Sequence, residues 1–133
     1  MTGTHARLHV CTTCRAGIEP TPGRPVPGEI LHDRLRHLLA ERPDAPVLLL
    51  EAKCLSNCGH GCAAAIAMPG KWSYLLGGLD LDRAADLLDY AAIYAASPSG
   101  VVMPSKRPAS LAAMVHGRIP PLVLEQAPFL EQA

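Results

Sequence analysis

Aromatic side chains are scarce in this sequence: one Phe, one Trp and three Tyr among 133 residues. Most of the core must therefore be aliphatic, and much of the 49% apolar fraction is alanine, which buries little area per residue. An excess of one charge is missing too. Twelve Lys and Arg balance twelve Asp and Glu, and neither half of the chain departs far from balance. A nucleic-acid binder would carry a basic stripe, so that class is excluded. Long apolar runs are absent as well: stretches such as Ala63–Met68 fall far short of the ~20 residues needed to cross a bilayer. Residues 1–10 lack the apolar core of a secretory signal. Nothing resembles a Ser-His-Asp arrangement, a phosphate loop or a nucleotide fingerprint. The expectation is a cytoplasmic protein of roughly one domain, with no membrane or nucleic-acid partner and no machinery for substrate turnover.

Five cysteines are present, and they are not scattered. Cys11 and Cys14 form one group and Cys54, Cys58 and Cys62 the other. A reducing compartment disfavours a disulfide framework, so clustered thiols point to metal or redox chemistry rather than to small core residues.

The pattern along the chain places both groups. His5–Val10 alternates, with Ala6, Leu8 and Val10 on one face and His5, Arg7 and His9 on the solvated face, the period of a half-buried strand that runs into Cys11. Residues 15–28 are too rich in Pro and Gly for regular structure. Leu31, Leu35, Leu38 and Leu39 recur at helical spacing from Glu29, and Pro43 ends that helix. Pro46–Glu51 is too brief an apolar run for a helix and reads as a buried, central strand running into Cys54. Ala64–Met68 and Trp72–Leu76 around Pro69-Gly70 predict a hairpin. Asp80 or Asp82 caps a helix to about Ala96, with Ala84, Ala85, Leu88, Ala92 and Ala95 inward. This order predicts an α/β fold with a four-stranded mixed sheet and flanking helices. Two strands joined through a helix are parallel neighbours, so both would end at one sheet edge. That edge would gather Cys11, Cys14, Cys54 and Cys58.

Cys11-Thr-Thr-Cys14 can fold two thiolates onto one metal, and Cys54-Leu-Ser-Asn-Cys58 aims two sulfurs the same way across one turn. Gly59 and Gly61 allow close approach of backbone N–H groups to charged sulfur. Four thiolates complete either a [2Fe–2S] cluster or tetrahedral zinc. Cys-x3-Cys in the second half weakens the zinc reading. Cys-x2-Cys is also the motif of thiol–disulfide oxidoreductases, but there the pair starts a helix, whereas here a Pro/Gly-rich loop follows Cys14.

Cys54-Leu-Ser-Asn-Cys58-Gly-His-Gly61, followed by a small-residue strand and a Gly-containing hairpin, resembles the second cluster loop of thioredoxin-like [2Fe–2S] ferredoxins. The chain as a whole is more similar to a bacterial family of predicted metal-binding proteins, the domain of unknown function 1636 (DUF1636). Members of that family often sit beside cobalamin-synthesis or metal-transport genes. The matching pieces are Val10-Cys-Thr-Thr-Cys-Arg15, the Cys54–Cys62 loop, Gly70-Lys-Trp-Ser-Tyr-Leu-Leu-Gly77 and Arg118-Ile-Pro-Pro121, within residues 8–122. The resemblance implies a thioredoxin-like domain and an iron–sulfur electron carrier serving a redox partner protein, with a link to cobalamin synthesis or metal homeostasis. A zinc- or cobalt-binding accessory protein using the same cysteines is the alternative. The implied ligands are Cys11, Cys14, Cys54 and Cys58, with Cys62 as a substitute. Two features depart from the ferredoxins. Their first pair is separated by four or more residues, and they place a non-ligand such as Pro where Cys62 stands.

Around these thiols, Arg15 and Lys53 would offset cluster charge but read equally as surface residues; His60 reads first as an exposed loop histidine and second as a ligand or a modulator of proton-coupled reduction. Trp72 and Tyr74 are expected in the core. The chain divides into a cluster domain, residues 1–97, and a proline-rich extension, residues 98–133. Leu111, Met114, Val115, Ile119, Leu122, Val123, Leu124 and Phe129 make that extension too apolar for a solvated tail. It is expected to form a short helix near Ala109–His116 and to pack on the domain or on a second copy in a homodimer. Truncation after Ser97 should therefore expose apolar surface and cause aggregation, measured by light scattering; a shortened chain as soluble as the whole would show the extension to be dispensable.

Overall fold

The structure, a computed structural model, describes residues 4–122. Its regular elements are β1 (Ala6–Cys11), α1 (Pro27–Ala40), β2 (Val47–Ala52), β3 (Ala64–Ala67), β4 (Ser73–Leu76), α2 (Ala84–Ala96) and β5 (Val115–Ile119), joined by loops and short 3-10 turns. The five strands form one sheet in the order β2-β1-β3-β4-β5. The β1–β2 pair is parallel and the other three pairs are antiparallel. Both helices pack against β1 and against each other. Ala6, Leu8 and Val10 of β1 meet Leu31 and Leu35 of α1 and Leu87, Leu88 and Ala91 of α2 in a single core.

Local rules explain most of these elements. Pro27 opens α1, where its fixed φ and missing N–H cost nothing. Asp80 accepts a bond from the Arg83 N–H and starts the turn that continues into α2. The Pro69-Gly70 turn joins β3 to β4 as the sequence predicts.

Several expectations require correction. The sheet has five strands, not four. Helix formation near Ala109–His116 stops after one 3-10 turn, Ala109–Leu111, and the chain then becomes β5. The reason is tertiary: without β5 the outer backbone groups of β4 would have no partner. β2 is an edge strand rather than a central one, because β3 takes the other side of β1. Val47 is buried, but Leu48 is exposed. On α2 the buried face carries Leu87, Tyr90, Ala91 and Tyr94, leaving Ala85, Ala92 and Ala95 half-buried. Burying the larger side chains removes more apolar area from water than burying alanines would. The polar side of central β1 is half-covered too, and burial, then the Arg7 charge, lowers the His9 pKa.

Tyr74, Tyr90 and Tyr94 form an edge-to-face cluster, with centroids of Tyr74 5.7 Å from Tyr90 and 6.2 Å from Tyr94. The Tyr74 hydroxyl accepts from the Val102 N–H at 3.0 Å, tying residues beyond α2 to β4. Trp72 stays half-buried, with the Arg118 guanidinium of β5 4.3 Å from its ring. Leu111 is fully buried and belongs to the main core. Ile119 and Leu122 are exposed; Val123, Leu124 and Phe129 lie outside the described residues. Leu111→Ala should destabilise the protein by about 2–5 kcal/mol, the usual cost of a core cavity, read from urea unfolding. A loss below about 1 kcal/mol would show that this part of the chain is not integral to the core.

Candidate metal centre

Parallel pairing brings the two cysteine groups together. β1 and β2 run in register from Ala6 opposite Val47 to Cys11 opposite Ala52, so both strands stop at the same edge. The Thr12 N–H continues the ladder to the Ala52 carbonyl at 2.9 Å. Beyond it, the Cys11 thiol lies 3.7 Å from the Lys53 carbonyl and 3.5 Å from the Thr13 hydroxyl. The Thr13 hydroxyl donates to that same Lys53 carbonyl. The Gly28 N–H donates to the Cys14 carbonyl at 2.9 Å, which seats the start of α1 on the first cysteine turn.

Burial divides the five thiols. Cys11, Cys14 and Cys62 are buried, whereas Cys54 and Cys58 are exposed. Burial acts to raise the Cys11 pKa. Hydrogen bonds from the Thr13 hydroxyl, the Leu55 and Thr13 N–H groups and the Cys14 thiol outweigh it and hold Cys11 below the ordinary thiol value. Cys14 is raised, chiefly by burial and then by the Cys11 charge, against N–H bonds from Ala63 and Ala16. Cys58 is raised by its hydrogen bond to Cys54 and by the charges of Cys54 and Cys11. Cys54 itself accepts from the Ser56 N–H at 3.3 Å. The thiols therefore influence one another's ionisation within two pairs, Cys11/Cys14 and Cys54/Cys58, and Cys58 also feels the charge of Cys11.

Cys62 is placed differently. It is 2% exposed and helps to line an apolar hollow of about 240 Å³ with Ala16, Ile18, Ile30, Leu31 and Leu79. Burial, with the charges of Cys14, Cys11 and Asp80 behind it, pushes its pKa up to about 11.

Among the described residues, no three His, Cys, Asp or Glu side chains are gathered closely enough to hold one metal ion. The donor set nevertheless suits a two-iron group, which takes two thiolates per iron and tolerates N–H bonds to sulfur. Gly61 leaves no room for a side chain, since a Cβ there would overlap the Cys14 sulfur. Gly59 has open space around it and makes no such approach. The Lys53 side chain pairs with Glu51 at 3.7 Å, so its nearest tie to the thiols runs through its carbonyl. Arg15 is exposed. His60 is exposed and meets His116 of β5 edge to face. Sequence reasoning missed Thr13, Gly28, Asn57 and His116. Only Thr13 carried a signal, as a hydroxyl inside the Cys-x2-Cys turn.

A family model described as Protein of unknown function (DUF1636) matches residues 8–121. The chain belongs to that family. No curated protein matches it. Among solved structures it is similar to a thioredoxin-like [2Fe–2S] ferredoxin from Aquifex aeolicus, with a TM-score of 0.57 and 11% identity over 90% of this chain and 98% of that one. The fold is accordingly thioredoxin-like, with the five-stranded mixed sheet described above. No helix of the described residues is long and apolar enough to cross a membrane.

The thiol chemistry predicts an order of reactivity. The thiolate is the nucleophile, and a pKa raised to about 11 leaves Cys62 almost wholly protonated at neutral pH. In metal-free folded protein, iodoacetamide should modify Cys62 last, with a rate that climbs as pH rises towards that value. Mass mapping that finds Cys62 alkylated at pH 7 as fast as Cys54 would contradict this.

Proposed function

We propose that the chain is an electron carrier holding a [2Fe–2S] cluster on Cys11, Cys14, Cys54 and Cys58, with Cys62 a structural thiol. The reading is carried by one observation: both cysteine groups follow parallel strands that end at the same sheet edge, with Cys11 opposite Ala52. The thioredoxin-like fold supports it. When bound, the cluster supplies reversible one-electron chemistry, tuned by hydrogen bonds to sulfur and by solvent exposure.

The residues of the chain define the rest. Cys11 and Cys14, buried beneath the start of α1, anchor one side, and N–H groups of Leu55, Ala16 and Ala63 offset thiolate charge there. Cys54 and Cys58 are exposed, so a cluster held here would be open to a redox partner protein on their side. The apolar surroundings of Cys62 disfavour its thiolate and separate it from the ligand set. A reducing compartment such as the cytoplasm keeps these thiols available.

Anaerobically purified protein should be brown, contain iron and sulfide in equal amounts, and lose its visible absorption on reduction with dithionite. Colourless protein with one equivalent of zinc would replace this reading with a metal-handling one. Within the cluster reading, Cys62→Ser should keep the full spectrum, while Cys11→Ser, Cys14→Ser, Cys54→Ser and Cys58→Ser each lose or alter it. A colourless Cys62→Ser beside an unaffected Cys14→Ser would overturn the ligand set.

A further inference from the structure

The exposed Cys54/Cys58 loop is tied to a part of the chain remote from it in sequence. Asn57 precedes the 3-10 turn Cys58–His60, the position from which an asparagine side chain ordinarily caps its own turn. It makes no capping bond. Its Nδ2 instead donates to Nδ1 of His116 on β5, 3.0 Å away, which leaves the imidazole proton on Nε2. The His116 ring stands edge-on to His60, with centroids 4.7 Å apart and an interplanar angle of 80°. Gly77, just past β4, lies against this group. A Cβ there would overlap His116 Cε1 and lie 2.6 Å from the His60 carbonyl and 2.7 Å from Asn57 Nδ2. Backbone bonds complete the junction: Gly77 N–H donates to the Met114 carbonyl at 2.9 Å and Gly78 N–H to the His60 carbonyl at 2.6 Å.

We propose that His116 is a positioning residue for the Cys54/Cys58 pair, holding Asn57 and through it the backbone that spaces the two sulfurs. The inference rests on the cluster reading of that pair. Three observations carry it. Cys54 and Cys58 are exposed, so core packing does not fix their spacing. Ser56, between them, has φ 54°, a conformation a non-glycine residue keeps only when its surroundings enforce it. Asn57, adjoining both Ser56 and Cys58, directs its amide to β5 rather than to its own turn. The extension thereby reaches back to the metal centre through one histidine.

The test compares His116→Ala, Asn57→Ala, the double variant and His116→Asn in full-length, cluster-loaded protein. Each alanine variant should lose its cluster to a chelator roughly tenfold faster, the usual scale for a partner that orients a ligand. The double variant should be no faster than either, because both changes remove one bond. His116→Asn should restore the rate, since its Oδ1 stands where Nδ1 accepts. The EPR g-values of the reduced protein should shift in the alanine variants and return in His116→Asn, with the urea midpoint unchanged throughout. Additive effects, or a wild-type rate and EPR spectrum in His116→Ala, would overturn the proposal. Cobalt(II) titration of metal-free protein, followed by thiolate–cobalt absorbance, separates it from the cluster reading. Protein that takes cobalt but no cluster refutes the electron carrier, and a roughly tenfold weaker cobalt affinity in His116→Ala would still uphold positioning. Unchanged cobalt affinity in that variant, or wild-type protein that binds neither metal nor cluster, would overturn positioning.

Discussion

The parallel register of β1 and β2 is the constraint on which the gathering of the two cysteine groups depends. Cys11 stands opposite Ala52, so the two strands release their chains at the same edge and in the same direction. A parallel pair needs a crossover, and α1 supplies it while burying Leu31 and Leu35 against the sheet. A slip of one residue would turn Ala6, Leu8 and Val10 out of the core. The core that stabilises the domain therefore also sets which cysteine backbones meet.

Electrostatics then distinguishes thiols that sequence alone leaves equivalent. Burial works against every thiolate, but N–H and hydroxyl donors concentrate on Cys11 and bring its pKa down. Cys62 stands beside an apolar hollow and rises instead. One loop edge thus holds a thiol prepared to ionise and another prepared to stay neutral. Exposure adds a direction, with one buried pair facing the core and one pair facing water.

The chain beyond α2 makes its own contribution to this arrangement. β5 completes the sheet beside β4, Val102 satisfies the Tyr74 hydroxyl, and Leu111 joins the core. His116 reaches the cysteine loop from the same strand. Sheet completion and loop contact are consequences of one edge pairing, since the strand that pairs with β4 also carries the histidine that meets Asn57.

By itself, the sequence determined the local periods: the alternation of β1, the leucine spacing of α1, the Pro-Gly hairpin and the delivery of two strands into cysteines. It also determined the thiol inventory, and parallel crossover logic was enough to expect both groups on one edge. Tertiary structure alone decided that Pro46–Glu51 lies at the sheet edge, because that depends on which side of β1 the hairpin occupies. Val115-His-Gly-Arg-Ile119 became a strand because β4 had an unpaired side, a demand invisible in a segment interrupted by Gly117. Asn57 and His116, 59 residues apart, meet only once that strand is in register. Local periodicity is written in neighbouring residues, whereas strand order, desolvation and the meeting of remote side chains are properties of the assembled core.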